Sequence, residues 1–174
     1  MIQVDDFIMN YPVVQYQLLN SADIVFTEKV RTICKEECPR YGKSWSCPPG
    51  VGEVQECKER CLKYPQVLVF TTMAEVSDAS IMEETLATRS SHEEITRAIM
   101  EELHQRGYEC LALSSESCQA CASCAYPEPC RNPEYMIPCI ESFGILVTDI
   151  AEKCGIEFYT DMHTVTWFGL IFIR

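Results

Sequence analysis

The feature that most constrains this chain is a run of four closely spaced cysteines. Their pattern is Cys-x2-Cys-x2-Cys-x5-Cys, formed by Cys118, Cys121, Cys124 and Cys130. Two residues between successive cysteines let one tight loop direct several sulfurs towards a single metal centre, as in ferredoxin-type cluster loops. The last spacing is longer than in the bacterial ferredoxin pattern, but nearby prolines can turn the chain back before Cys130. The run therefore predicts a [4Fe-4S] cluster, with a tetrahedral zinc site as the alternative.

A second group of cysteines lies nearer the N-terminus. Cys34, Cys38 and Cys47 fall in residues 34–50, the first cysteine loop, whereas the run described above falls in residues 118–133, the second cysteine loop. The first loop is rich in proline and glycine, which predicts irregular structure rather than helix or strand. Three thiols leave one ligand position of a cluster unassigned. That position is either filled by another residue or open, and an open metal position acts as a Lewis acid.

Two further cysteines are the nearest candidates for the missing ligand. Cys57 and Cys61 lie four residues apart with helical spacing, so both thiols should share one face of a helix. Free cysteine also packs as a small apolar side chain, and a core position is the alternative interpretation for both residues. The same core interpretation applies to the remaining cysteines, Cys110, Cys139 and Cys154. Cys139 also follows the second cysteine loop closely enough to approach it.

The two loops together resemble a "predicted metal-binding protein" family of unknown function from anaerobic archaea and bacteria. The resemblance rests on the order and spacing of Cys34, Cys38, Tyr41, Gly42, Trp45, Cys47, Pro48, Pro49, Cys118, Cys121, Cys124, Cys130, Arg131, Pro133, Pro138, Glu141, Gly144 and Ile145. It implies metal binding, with an iron–sulfur cluster as the expected metal group, and it implies no established reaction. The family pattern does not require Cys57, Cys61 or Cys139.

Composition favours metal binding over disulfide bonding as the reason for the cysteine content. The chain has 174 residues, enough for one domain with its own hydrophobic core, and 12 of them are cysteine. Its N-terminus carries acidic residues where a signal peptide has basic ones, so we expect a cytoplasmic protein with reduced thiols. The longest apolar run, residues 165–173, is about half a membrane span and predicts a buried strand.

The net charge limits the class of partner. At −12, it disfavours nucleic acid and anionic membrane surfaces, because binding to either is driven by basic patches. Acidic proteins are instead attracted to basic partners, so a redox partner protein is the expected one. The basic residues that flank the cysteines would either stabilise a reduced cluster or be ordinary solvated side chains, and they are Lys35, Arg40, Lys43 and Arg131. The second interpretation is favoured for the two lysines. The sequence does not predict an oligomeric state.

The rest of the pattern predicts a single α/β domain in which helices flank a small mixed sheet. Strands are predicted at residues 66–72, 109–113 and 165–173, and helices at residues 53–64 and 137–153. A further helix is predicted to begin at Ser91, in a capping box with Glu94, and to end at Gly107. Residues 13–33 favour a strand followed by a short helix. Residues 77–90 favour a polar loop or an earlier start of the next helix.

The sequence therefore predicts one metal-binding domain, residues 1–174, that contains one or two [4Fe-4S] clusters. The predicted role is electron transfer or redox sensing in anaerobic metabolism. Two alternatives remain open. The first is an enzyme that uses an open iron at the three-cysteine centre. The second is a structural or interaction module in which both loops bind zinc.

Overall fold

A four-stranded antiparallel sheet forms the centre of the computed structural model, which describes residues 2–157 and 161–174. The strands are β1 (Gln15–Asn20), β2 (Gln66–Glu75), β3 (Cys110–Ser114) and β4 (Thr164–Ile173). Their order across the sheet is β1, β2, β4, β3. The two central strands, β2 and β4, consist mostly of buried β-branched and aromatic residues, which favour extended structure between two apolar layers.

Helices cover both faces of the sheet. They are α1 (Asp5–Ile8), α2 (Glu28–Glu37), α3 (Val54–Cys61), α4 (Met82–Ala87), α5 (Arg89–Gln105) and α6 (Val147–Cys154), with short 3-10 turns at Ser21–Asp23 and Glu141–Phe143. One core contains residues of α3 and α6, and the other contains residues of α1 and α5. Neighbouring residues of β2 alternate between them, with Val67 and Val69 in the first and Leu68 and Phe70 in the second. Within the described residues, every helix falls short of the length and apolarity needed to cross a membrane.

The predicted α/β domain is confirmed, and the predicted strands appear as β2, β3 and β4. The predicted strand and short helix within residues 13–33 appear as β1 and the Ser21–Asp23 turn. The expectation of a sheet with mixed strand directions is wrong for the four strands. All three ladders of the sheet are antiparallel, and parallel pairing occurs in the described residues as an isolated bridge between Ser114 and Cys139.

Two helix predictions are wrong in their limits. The predicted start at Ser91 is two residues late, because α4 leads into α5 through Thr88, whose backbone is itself helical. Residues 77–90 therefore include an early helical segment. The helix predicted at residues 137–153 is confined to α6, since the backbone N–H groups of Cys139 and Ile140 bond to other segments instead of to a preceding turn. The predicted C-cap at Gly155 is confirmed by its left-handed φ of 63°.

Candidate metal centres

Four cysteines from three segments of the chain line one cavity of about 520 Å³. Cys34 lies on α2, Cys38 is the C-cap of that helix, Cys47 lies in the irregular part of the first loop, and Cys139 comes from the segment before the Glu141–Phe143 turn. We call these four residues the first centre. Cys34 was expected in an irregular loop, but α2 extends to Glu37 and places it on a helix.

The position of Cys139 follows from the pairing of its backbone. The Cys139 N–H donates to the Ser46 carbonyl at 3.0 Å, which joins it to the residue before Cys47. On either side, the Ser114 N–H donates to the Pro138 carbonyl and the Ile140 N–H to the Ser114 carbonyl, both at 3.0 Å. Residues 138–140 thus run as a short extension beside the end of β3. This pairing brings Cys139 to the first centre, whereas the sequence suggested the core or the second loop.

Burial dominates the electrostatics of the first centre. It raises the pKa of Cys47 to about 11, and it raises the pKa of Cys34, where the neighbouring Cys38 and Glu141 add to the effect. Burial also raises the pKa of Cys139 well above its usual range. The Cys139 thiol donates to the Glu141 carboxylate at 3.0 Å. Without a cation, these thiols are therefore held in the protonated form, and a bound metal ion would supply the charge that stabilises them as thiolates.

The second centre consists of the four cysteines of the second loop, which line one small cavity together with Ser44 and Trp45 of the first loop. These cysteines are Cys118, Cys121, Cys124 and Cys130. The predicted grouping of the four thiols is thus present in the structure. Because Trp45 is only two residues before Cys47, the two centres are neighbours, and residues of the first loop line both cavities.

Hydrogen bonds to sulfur are a main feature of the second centre. The Asn132 amide donates to the Cys121 sulfur at 3.1 Å, and the Ala120 N–H donates to the Cys118 sulfur at 3.4 Å. Burial alone would raise the pKa of Cys124, but hydrogen bonds from the backbone and from the Ser44 hydroxyl together lower it. Donors directed at sulfur stabilise thiolate, the form in which cysteine binds metals.

The thiols surround their cavities without converging on a point. Within residues 2–157 and 161–174, no three side chains of His, Cys, Asp or Glu are close enough to hold a metal ion as they stand. Binding at either centre therefore requires cysteine side chains to turn towards the bound group. Such turns are changes between staggered rotamers about a single bond.

The remaining cysteines lie away from both cavities. Cys57 and Cys61 are fully buried on one face of α3 and belong to the same core as Phe143 and Phe168. Neither lines the cavity of either centre. Cys110 and Cys154 are half-buried and pack against the edges of the two cores. The structure therefore places Cys57 and Cys61 where the core interpretation expects them, not where a missing ligand would lie.

Replacing either helix cysteine should change stability without changing metal content. We expect Cys61→Ser to destabilise the fold by about 1–3 kcal/mol, because it puts a hydroxyl into an apolar core. We expect Cys57→Ser to keep the same metal content per chain as the wild type. Urea unfolding and metal analysis of the purified variants measure both quantities, with Cys121→Ser as the comparison that should lose metal. Loss of metal from either helix variant would contradict the assignment.

A buried ion pair that the sequence did not single out anchors the second loop to α5. Arg89 and Glu93 are both almost fully buried, and their side chains meet at 2.6 Å. The Arg89 Nε donates to the Ser115 carbonyl at 2.7 Å, and the Gln119 N–H donates to Glu93 at 3.1 Å. These two contacts bracket Cys118. The spacing of four residues was visible in the sequence, but such pairs usually lie on exposed helix surfaces.

Comparisons of the chain with known proteins give a family and no individual relative. No curated protein and no solved structure matches the chain. A family model described as "Predicted metal-binding protein (DUF2284)" matches residues 17–173, a range that includes both centres. The resemblance stated from the two cysteine loops is thereby confirmed. The chain belongs to this predicted metal-binding protein family.

Proposed function

We propose that this metal-binding protein holds two iron–sulfur clusters, one at each centre, and that it transfers single electrons or senses redox state. The observation that carries the proposal is the presence of two cavities that are each lined by four cysteines. Four cysteine thiolates are the usual ligands of a [4Fe-4S] cluster, and such a cluster supplies one-electron oxidation and reduction. Membership of a predicted metal-binding family supports the metal, although not its identity.

The arrangement of the thiols favours a cluster over zinc. A zinc ion binds four thiolates at about 2.3 Å, so its ligands must crowd around a single point. The cavity of the first centre, about 520 Å³, has room for a larger group, whereas the cavity of the second centre, about 20 Å³, would have to widen as its thiols turn. At the second centre, three of the four thiols come from one short run, as in ferredoxin-type loops. Zinc sites more often combine two separate Cys-x2-Cys pairs.

We assign Cys139 as the fourth ligand of the first centre. The sequence left this position unfilled and so allowed an enzyme with an open iron. With Cys139 in the same cavity as Cys34, Cys38 and Cys47, a thiol is available for every corner iron of a cube. The first centre therefore needs no open position, and electron transfer is favoured over Lewis-acid catalysis.

Exposure and charge support exchange of electrons with a partner protein. Each centre has one exposed cysteine, Cys38 in the first and Cys124 in the second. Electrons can therefore reach either centre from the protein surface. The net charge of −12 would attract a partner with a basic surface. We propose a redox protein of the cytoplasm as that partner, in the anaerobic metabolism where such clusters are stable.

Metal analysis of anaerobically purified protein tests the proposal. We expect broad absorbance near ~400 nm that bleaches with dithionite, and roughly eight irons with a matching amount of sulfide per chain. Half that amount would mean that only one centre holds a cluster. A colourless protein that contains stoichiometric zinc would contradict the proposal and would indicate a structural module instead.

A further inference from the structure

One of the segments that lie between the two centres is formed by residues 44–47. Ser44 and Trp45 line the cavity of the second centre, whereas Cys47 lines the cavity of the first. Between them lies Ser46, which is fully buried. A polar side chain in this position must satisfy its hydrogen bonds inside the protein, so its partners are informative.

Ser46 contacts cysteines of both centres. Its hydroxyl accepts a hydrogen bond from the Cys118 N–H at 2.8 Å, and its carbonyl accepts one from the Cys139 N–H at 3.0 Å. The same hydroxyl oxygen lies 3.9 Å from the sulfur of Cys47, within hydrogen-bond range for sulfur. One buried residue thus joins Cys118 of the second centre to Cys47 and Cys139 of the first.

The Ser46 hydroxyl has one proton and two acceptor positions. The Cys118 N–H fills one acceptor position, whereas the contacts with the Ser44 hydroxyl at 2.8 Å and with the Cys47 sulfur at 3.9 Å can each run in either direction. A Cys47 thiolate that holds a metal can only accept a hydrogen bond, so in the metal-bound form the Ser46 hydroxyl is the donor to its sulfur. Hydrogen bonds to a ligand sulfur stabilise the more negative, reduced state of a cluster and so raise its reduction potential.

We propose that Ser46 is a positioning residue shared by the two centres, and that its hydroxyl couples the redox state of the second centre to the reduction potential of the first. The inference rests on the proposed function. Hydrogen bonds that follow one another in a chain polarise one another. Reduction of the second centre adds negative charge near Cys118, and this charge changes how strongly the Ser46 hydroxyl donates to the Cys47 sulfur. The coupling therefore uses bonds already present between the two cysteines.

A potentiometric titration followed by electron paramagnetic resonance tests the inference on the full chain with both clusters loaded. Ser46→Ala should lower the equilibrium constant for reduction of the first centre roughly tenfold, which is about 59 mV for a one-electron couple. Cys121→Ser removes the second centre and shows the first alone. This change should shift the potential of the first centre in the wild-type background, and the shift should shrink when Ser46→Ala is also present.

Ser142→Ala is the matched control. Ser142 is also a fully buried serine, but its hydroxyl donates to the carbonyl of Cys139 and so contacts a cysteine of the first centre only. Ser142→Ala should therefore leave the coupling between the centres unchanged. Ser46→Thr keeps the hydroxyl, so it should retain the wild-type reduction potential of the first centre. Equal effects of Ser142→Ala and Ser46→Ala would overturn the inference.

Failure of the inference can be separated from failure of the proposed function. If the wild-type protein contains no iron and no sulfide, both the proposed function and the inference are wrong. Metal analysis shows this before any titration. If Ser46→Ala binds both clusters and keeps the wild-type reduction potential and coupling, the inference is overturned and the proposed function stands. If Ser46→Ala does not fold, Cys121→Ser alone can be compared with the wild-type protein. An unchanged reduction potential of the first centre in Cys121→Ser would also overturn the inference.

Discussion

Cys139→Ser should abolish the first centre and leave the second intact. We expect the iron content to fall by about half, to roughly four irons per chain, because only the second centre then has four thiols. The effect should be large because Cys139 is buried against the Cys47 segment and no other uncommitted cysteine lines that cavity in the described part of the chain. Iron and sulfide analysis after anaerobic purification measures the change.

Cys61→Ser is the matched comparison for this prediction. Cys61 is also a fully buried cysteine, but it lies in the core on α3 and lines neither cavity. It should retain full iron content, so a loss seen only with Cys139→Ser cannot be ascribed to the removal of any buried thiol. Cys139→Ala is a second variant that has no side-chain oxygen, so it excludes weak binding of the metal by the introduced serine. Full iron content in both Cys139 variants would show that another group completes the first centre.

The sequence grouped all four cysteines that line the second cavity but only three of the four that line the first, and the reason is distance along the chain. The four cysteines of the second centre lie within one short run, so their spacing alone indicates a common site. Cys139 reaches the first centre through backbone pairing with Ser46 and Ser114, which are remote in sequence. No local pattern around Cys139 encodes that pairing.

The helix predicted at residues 137–153 begins too early for a similar reason. Ile137 and Ile140 have the three-residue spacing of one helix face. In the structure, they enter different cores, Ile140 with Phe143 in one and Ile137 with Phe70 in the other. An extended segment sends residues three apart to opposite sides. Spacing alone cannot distinguish these cases, whereas the long apolar runs that became β2 and β4 were clear.

Arg89→Met should be among the most destabilising single changes outside the cores. It leaves the Glu93 carboxylate buried with part of its countercharge gone, and breaking a buried pair in this way costs about 3–5 kcal/mol. It also removes the donor to the carbonyl of Ser115, which lies three residues before the second loop. We therefore expect lower stability in urea unfolding together with weaker retention of metal by the second centre.

Arg106→Met is the comparison that shows whether the stability cost of Arg89→Met comes from the burial of the ion pair or from the loss of any ion pair. Arg106, the C-cap of α5, pairs with Glu102 at the same four-residue spacing, but both side chains are about one-third exposed. Its loss should cost less than about 1 kcal/mol. Similar costs for the two variants would show that burial of the Arg89 pair does not govern its contribution.

A double variant tests whether uncompensated charge is the cause. In Arg89→Met combined with Glu93→Gln, no buried carboxylate remains, while the amide oxygen can still accept from the Gln119 N–H as Glu93 does. Arg97, which also pairs with Glu93 at 2.8 Å, is partly exposed and can turn to solvent. The double variant should therefore be more stable than Arg89→Met alone. If it is less stable, the hydrogen bonds of the pair, and not its charge balance, hold the second loop in place.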